Sequence, residues 1–225
     1  MLIEAESDGV KSPTIKINRP RWSDMFENYP DNSITKYIFY PKISKALGKD
    51  VDHKAYVNTC ALRMSVGLNK SGFLLPKAPS KGGNILGDDS RNYWLRVADL
   101  RPYLYKIFKE PDIAVTLPTL SSLDPYIPSE LDERLKFVQD NIINKINGKK
   151  GIVVFEVKGW ANATGHFTLW DGGENGLLYS SESENDPKSP NYYFWMVPNN
   201  NQTEDNFDDY NSGLTIKFVF WELID

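Results

Sequence analysis

Gly151-Ile152-Val153-Val154-Phe155-Glu156-Val157 marks the point where the chain changes its period. The run is short, apolar and β-branched, and it reads as a central strand buried on both faces. Downstream the pattern stays extended. Gly165-His166-Phe167-Thr168-Leu169-Trp170 reads as a second strand, the glycine-rich Asp171 to Gly176 as a turn, and Leu177 to Ser181 as its partner. Asn191 to Val197 reads as a fourth strand and Leu214 to Leu223 as a fifth, with the polar, acidic Asn199 to Gly213 between them as a solvated loop. Upstream the spacing is helical. Ser129 to Asp132 open an amphipathic helix through Leu135, Val138, Ile142 and Ile146 that stops at Gly148. Before it, Pro118, Pro125 and Pro128 mark an irregular stretch. Asp99 precedes a helix with Pro102 in its first turn and Leu100, Tyr103, Leu104, Ile107 and Phe108 facing inward. Helices first and an antiparallel sheet afterwards is the α+β pattern.

Nearer the start, Ser23 reads as the cap of a brief helix through Met25, Phe26 and Glu27, ended by Tyr29-Pro30. Ser33 caps a second that buries Ile34, Tyr37 and Ile38, is interrupted at Pro41 and is closed by Gly48. The next helix, Asn58-Thr59-Cys60-Ala61-Leu62-Arg63-Met64-Ser65-Val66-Gly67-Leu68-Asn69, is apolar at nearly every angle and should run through the core. Ser71 to Asn92, punctuated by glycine and proline, reads as a long loop of the lid or binding type. Met1 to Asn18 form a loosely held lead-in with a short strand at Thr14-Ile15-Lys16-Ile17. The 225 residues suffice for a single domain, 1–225, with its own core.

Composition narrows the chemistry. A net charge of −4 with no basic cluster argues against a nucleic-acid partner. No apolar run approaches the roughly 20 residues needed to span a bilayer, so membrane insertion is not expected. One cysteine leaves no internal disulfide, and two histidines with that cysteine make a poor zinc site, so no metal or cofactor is expected. Met1-Leu2-Ile3-Glu4-Ala5-Glu6 lacks the apolar core of a signal peptide, so export would use another route.

Cys60 in the first turn of a core helix sits beside unpaired N–H groups and the positive end of the helix dipole, which favour thiolate; Asn58 or Thr59 would cap that turn. His166 follows Gly165 at a strand start and could serve as base to the sulfur. His53, in the polar stretch Lys49 to Lys54, reads as an exposed surface histidine. A third group should hold the imidazole tautomer. Alternation puts His166, Thr168 and Trp170 on one face and Asp171 on the other. If Trp170 pairs with Leu177, Ser181 comes opposite His166, with Glu182 beside it and Asp171 as the turn-cap alternative. The N–H of Cys60 would supply an oxyanion hole. The rival reading is a binding module for glycan or protein, with Tyr192, Tyr193 and Trp195 as a stacking face, and a third is an acyltransferase on the same thiol.

Asn58 to Ser65 with Leu68-Asn69, and Gly159-Trp160-Ala161-Asn162-Ala163-Thr164-Gly165-His166-Phe167-Thr168-Leu169-Trp170-Asp171-Gly172, resemble the fourth family of type VI secretion amidase effectors. Arg19-Pro20 with Trp22 and Phe26, and Arg96-Val97-Ala98-Asp99-Leu100, are similar to that family too. The resemblance implies a papain-like, NlpC-type cysteine hydrolase. Such an enzyme is a peptidoglycan amidase that cleaves the D-glutamyl–meso-diaminopimelate bond of the stem peptide, is injected into the periplasm of a rival bacterium, and is restrained by a cognate immunity protein. By position Cys60 would be nucleophile and His166 general base. The family's usual aspartate on the strand after the hairpin, often between two cysteines, has no counterpart in Leu178-Tyr179-Ser180-Ser181-Glu182.

Overall fold

The computed structural model describes residues 19–31, 33–53, 56, 58–121, 127–159, 163–173, 176–178, 185–187, 192–194 and 213–225, and the backbone of four two-residue strands ahead of them. Those four are β1 (Leu2–Ile3), β2 (Glu6–Ser7), β3 (Val10–Lys11) and β4 (Ile15–Lys16), β1 pairing with β4 and β2 with β3. Then come α1 (Trp22–Asn28), α2 (Lys36–Ile43), α3 (Lys45–Lys49), α4 (Cys60–Lys70), β5 (Asn84–Leu86), β6 (Asn92–Trp94), α5 (Val97–Phe108) and β7 (Ile113–Thr116). The rest are α6 (Pro128–Val138), a π-helical turn (Gln139–Ile143), α7 (Asn144–Ile146), β8 (Lys150–Lys158), β9 (Gly165–Asp171), β10 (Gly176–Leu177) and β11 (Leu214–Glu222).

The period change at Gly151 becomes the centre of a five-stranded sheet in the order β10-β9-β8-β11-β7, antiparallel throughout. Ile152 to Phe155 of β8 have no exposed surface, because helices cover both faces. Ile152 and Val154 join Phe167, Leu169, Val219 and Trp221 against α4 and α5. Val153, Phe155 and Val157 join Trp170, Phe218 and Phe220 against α6 and the π turn. The α+β expectation therefore holds, as does the pairing of Trp170 with Leu177.

Several boundaries differ for physical reasons. The expected fourth strand does not form at the described residues 192–194, which are irregular and pack Tyr192, Tyr193 and Phe194 into the core. That burial removes both tyrosines from any sugar-stacking face, while Trp195 lies outside the described residues. Its place in the sheet goes to β7, from the stretch read as irregular; β7 is a four-residue edge strand whose single neighbour is β11, too short for alternation to announce it. In α2, Phe39, Tyr40 and Ile43 face inward, while Tyr37 and Ile38 are 59% and 50% exposed. The helix begins at Lys36 and not after Ser33, which rotates the buried stripe. Ser23 caps nothing: its N–H donates to Asp225 Oδ1 at 2.8 Å, so the last residue of the chain caps α1.

Helix α4 is buried from Cys60 to Asn69. Full burial of Leu62, Met64 and Leu68 contributes roughly 1.5–3 kcal/mol each. Its polar residues are satisfied by the segment that follows. Trp94 N–H donates to Ser65 Oγ at 3.0 Å, Leu75 N–H donates to Asn69 Oδ1 at 2.9 Å, and Asn69 Nδ2 donates to Asn92 O at 2.8 Å. The end of the segment expected to be a lid or binding loop is thus a pinned hairpin, β5 with β6, while residues 71–83 are irregular as expected. Ser80 Oγ also donates to Asp99 Oδ1 at 2.5 Å, clipping it to the first turn of α5.

Candidate active site

The mouth of α4 is held by Arg63. Its guanidinium, buried, donates from Nε to Thr59 Oγ1 at 3.1 Å and from Nη1 to the carbonyls of Pro30 at 2.9 Å and Asp31 at 2.6 Å, and it lies 4.4 Å above the Phe39 ring. Thr59 does precede the helix, but its hydroxyl serves Arg63 and caps no backbone N–H. In place of a cap by Thr59 there is a side-chain clamp one turn long.

Cys60 is buried, and its sulfur accepts the backbone N–H of Phe167, the residue directly after His166. The register explains why that N–H is available. Val157 N–H donates to Thr164 O at 3.2 Å and Gly172 N–H to Lys149 O at 2.9 Å, so even-numbered residues along this strand bond toward β8. Odd-numbered residues turn outward, where Leu169 O accepts Leu178 N–H at 3.0 Å. Phe167 N–H points to that outer edge, and α4, packed on the Phe167 face, brings the sulfur to it.

Burial pushes the Cys60 thiol up from its ordinary value, and this outweighs the N–H groups of Phe167, Ala61 and Cys60 itself and the charge of Arg63, all of which pull it down. The expectation of an ionised sulfur is corrected in this closed arrangement: desolvation exceeds the helix-end effect, and the thiol keeps its proton at neutral pH. A raised value means that thiolate gains tenfold with each pH unit until the titration is complete. Iodoacetamide alkylation of the folded protein should still be climbing above pH about 10, where the urea-unfolded chain, with its midpoint at about 8.5, has levelled off. A plateau reached below pH 7 would contradict this.

His166 is buried and shares its face with Thr168 and Trp170, as alternation requires. Its ring stacks on that of Tyr193, with centroids 4.3 Å apart and planes 23° apart. The Cys60 sulfur therefore lies at the edge of this strand, bonded to the residue next to His166, while the imidazole lies on the face away from α4. Asp171 is not brought to them. It sits five residues on, about 16 Å along an extended strand, on the opposite face, with its carboxylate 3.4 Å from Lys150 Nζ. Ser181 and Glu182 lie outside the described residues. His53 is exposed, 5.4 Å from the Tyr56 ring, as expected. Among the described residues no group of three or more His, Cys, Asp or Glu is placed to hold a metal ion, and no helix is long and apolar enough to cross a membrane.

Sequence reasoning missed Arg63 and Tyr193. A buried arginine on an otherwise apolar helix was the available signal for the first; the second carries no local signal, since its partner is 27 positions away.

The family profile described as type VI secretion system (T6SS) amidase effector protein 4, Tae4, matches residues 56–221, a span that contains α4 and all of the five-stranded sheet but the last residue of β11. The chain belongs to the Tae4 family. Among solved structures it is similar to the Tae4–Tai4 effector–immunity complex from Enterobacter cloacae, with a TM-score of 0.62 and 23% identity over 91% of this chain and 99% of that one. The Tae4/Tai4 system from Salmonella typhimurium gives 0.60, 23%, 91% and 99% in the same order. Tae4 from Enterobacter cloacae alone gives 0.54, 22%, 91% and 97%. At these identities the likeness is one of fold. No curated protein matches the chain. As a Tae4 member it is a type VI secretion amidase effector.

Proposed function

We propose that the chain is a peptidoglycan amidase of papain-like, NlpC type, with Cys60 as nucleophile and His166 as general base, acting on the D-glutamyl–meso-diaminopimelate bond of the stem peptide. The observation that supports this most is the bond from Phe167 N–H to the Cys60 sulfur, which seats a helix-mouth thiol beside the residue that carries the imidazole. Because the thiol is protonated, the base has work to do. His166 takes the thiol proton as sulfur attacks the amide carbonyl, and the oxyanion is met by the Cys60 N–H at the start of α4. His166 then gives that proton to the leaving amine as the C–N bond breaks. Water attacks the thioester with His166 again as base, releasing the carboxylate and restoring the thiol. Ser181, the candidate from strand alternation in the sequence, is the orienting group we favour, since Asp171 stands at the other end of the strand.

In this reading the protein is delivered by the secretion apparatus into the periplasm of a target bacterium, where stem peptides lie, and a cognate immunity protein restrains it. The solved Tae4 relatives in complex with Tai4 favour such a partner. Incubation with purified muropeptides, read by mass, tests the reaction. Two fragments whose masses sum to substrate plus one water are expected. Tight binding with no turnover would sink the proposal in favour of a binding module, and a fragment carrying an added amine would make the protein an acyltransferase.

A further inference from the structure

The buried groups behind His166 form a continuous support that the reaction above does not use. In β11 the register with β8 shifts between Thr215 and Lys217, so Thr215 pairs with Val157 while Lys217 pairs with Glu156. Without that bulge, residues 215 and 217 would share a face. With it, Lys217 stays on the α5 side, 3.9 Å from Glu156, and Thr215 turns to the other side. There the fully buried Thr215 donates from Oγ1 to Tyr193 O at 2.7 Å. Arg134 of α6, also buried, donates to the carbonyls of Thr215 and Pro118 and fixes the bulge from behind. The Tyr193 ring then lies over the directly paired residues Phe155 and His166, with centroids 5.5 and 4.3 Å away.

The geometry points to Tyr193 as a positioning residue that fixes the plane of the His166 imidazole, itself held by Thr215 and Arg134 through the β11 bulge. A flat aromatic face at this separation removes rotation of the imidazole about its Cβ–Cγ bond, which is the freedom that would take a ring nitrogen off the line to the sulfur. It does so from a rigid element, because the bulge, the α6 guanidinium and the sheet all converge on one segment. The inference rests on His166 being the base.

The test uses the full chain carrying His53→Gln, which leaves His166 as the sole imidazole. In Tyr193→Leu, kcat for muropeptide cleavage should fall about 10–100-fold with KM within about twofold, while Tyr193→Phe, which keeps the ring, should restore kcat. In the same variants the proton resonances of the His166 ring should lose their upfield aromatic shift in Leu and keep it in Phe. Thr215→Val, which preserves shape and removes the bond to Tyr193 O, should move both readouts the same way by less, and it serves if Tyr193→Leu does not fold. Unmoved His166 resonances in Tyr193→Leu and Thr215→Val, or a Phe variant as slow as Leu, would overturn the inference. The resonances read the stacking even if the wild type cleaves nothing, so failure of the proposed reaction and failure of this inference are told apart.

Discussion

Cys60→Ala removes amide cleavage, lowering kcat by about 10⁴-fold or more, while the protein keeps its fold and still binds muropeptide. The loss is large because sulfur forms the covalent bond and nothing beside it can. Arg63 and the N–H of Phe167 surround the position, and neither is a nucleophile. The fold survives because alanine occupies less space at a site already lined by apolar neighbours, and leaving the Phe167 N–H without its acceptor costs about 1–3 kcal/mol. His166→Gln should fall between this variant and the wild type, at about 10²–10⁴-fold below the latter, since thiolate can still form slowly without the base. Mass analysis of digests together with circular dichroism checks both; a Cys60→Ala protein as active as wild type would dismiss the thiol mechanism outright.

Gly165→Ala destabilises the fold by about 3 kcal/mol and abolishes activity along with it. A Cβ at Gly165 would lie 2.2 Å from the carbonyl oxygen of Phe155, on the directly adjacent strand, where no side chain can swing away to relieve it. The strands must part at the point that carries His166 and receives the Cys60 sulfur, so the damage to stability and to the site has one origin. Gly173→Ala is the matched control: nothing lies within 4 Å of its Cβ and its φ is not positive, so the change should stay within about 0.5 kcal/mol. Thermal or urea unfolding of the two variants side by side measures this. Equal stability of both would mean that β8 and β9 do not approach as closely as described.

Much of this architecture can be read from neighbours along the chain. Apolar spacing over a few residues announces α4, α5 and α6, and the switch to β-branched alternation announces β8, β9 and β11. It also places Cys60 in the first turn of a core helix and His166 behind a glycine at a strand start, the two residues on which the proposed chemistry depends. The phase of α2 is not legible locally: the helix starts at Lys36 because Phe39, Tyr40 and Ile43 pack with Leu62, Val66 and Tyr93, which the stretch after Ser33 does not announce.

What the linear order could not decide are quantities that arise when distant residues share one volume. The proton on Cys60 depends on burial by the sheet, so a helix end that favours thiolate in isolation carries a thiol here. Thr59 is drawn from capping by an arginine whose other partners come from the loop after α1. Tyr193 reaches His166 because a bulge in β11 reverses one residue, and β7 exists as a strand because β11 offers it an edge. Periodicity is a property of residues a few positions apart and is written locally. Desolvation, stacking and edge pairing belong to surfaces that meet only after the chain has closed.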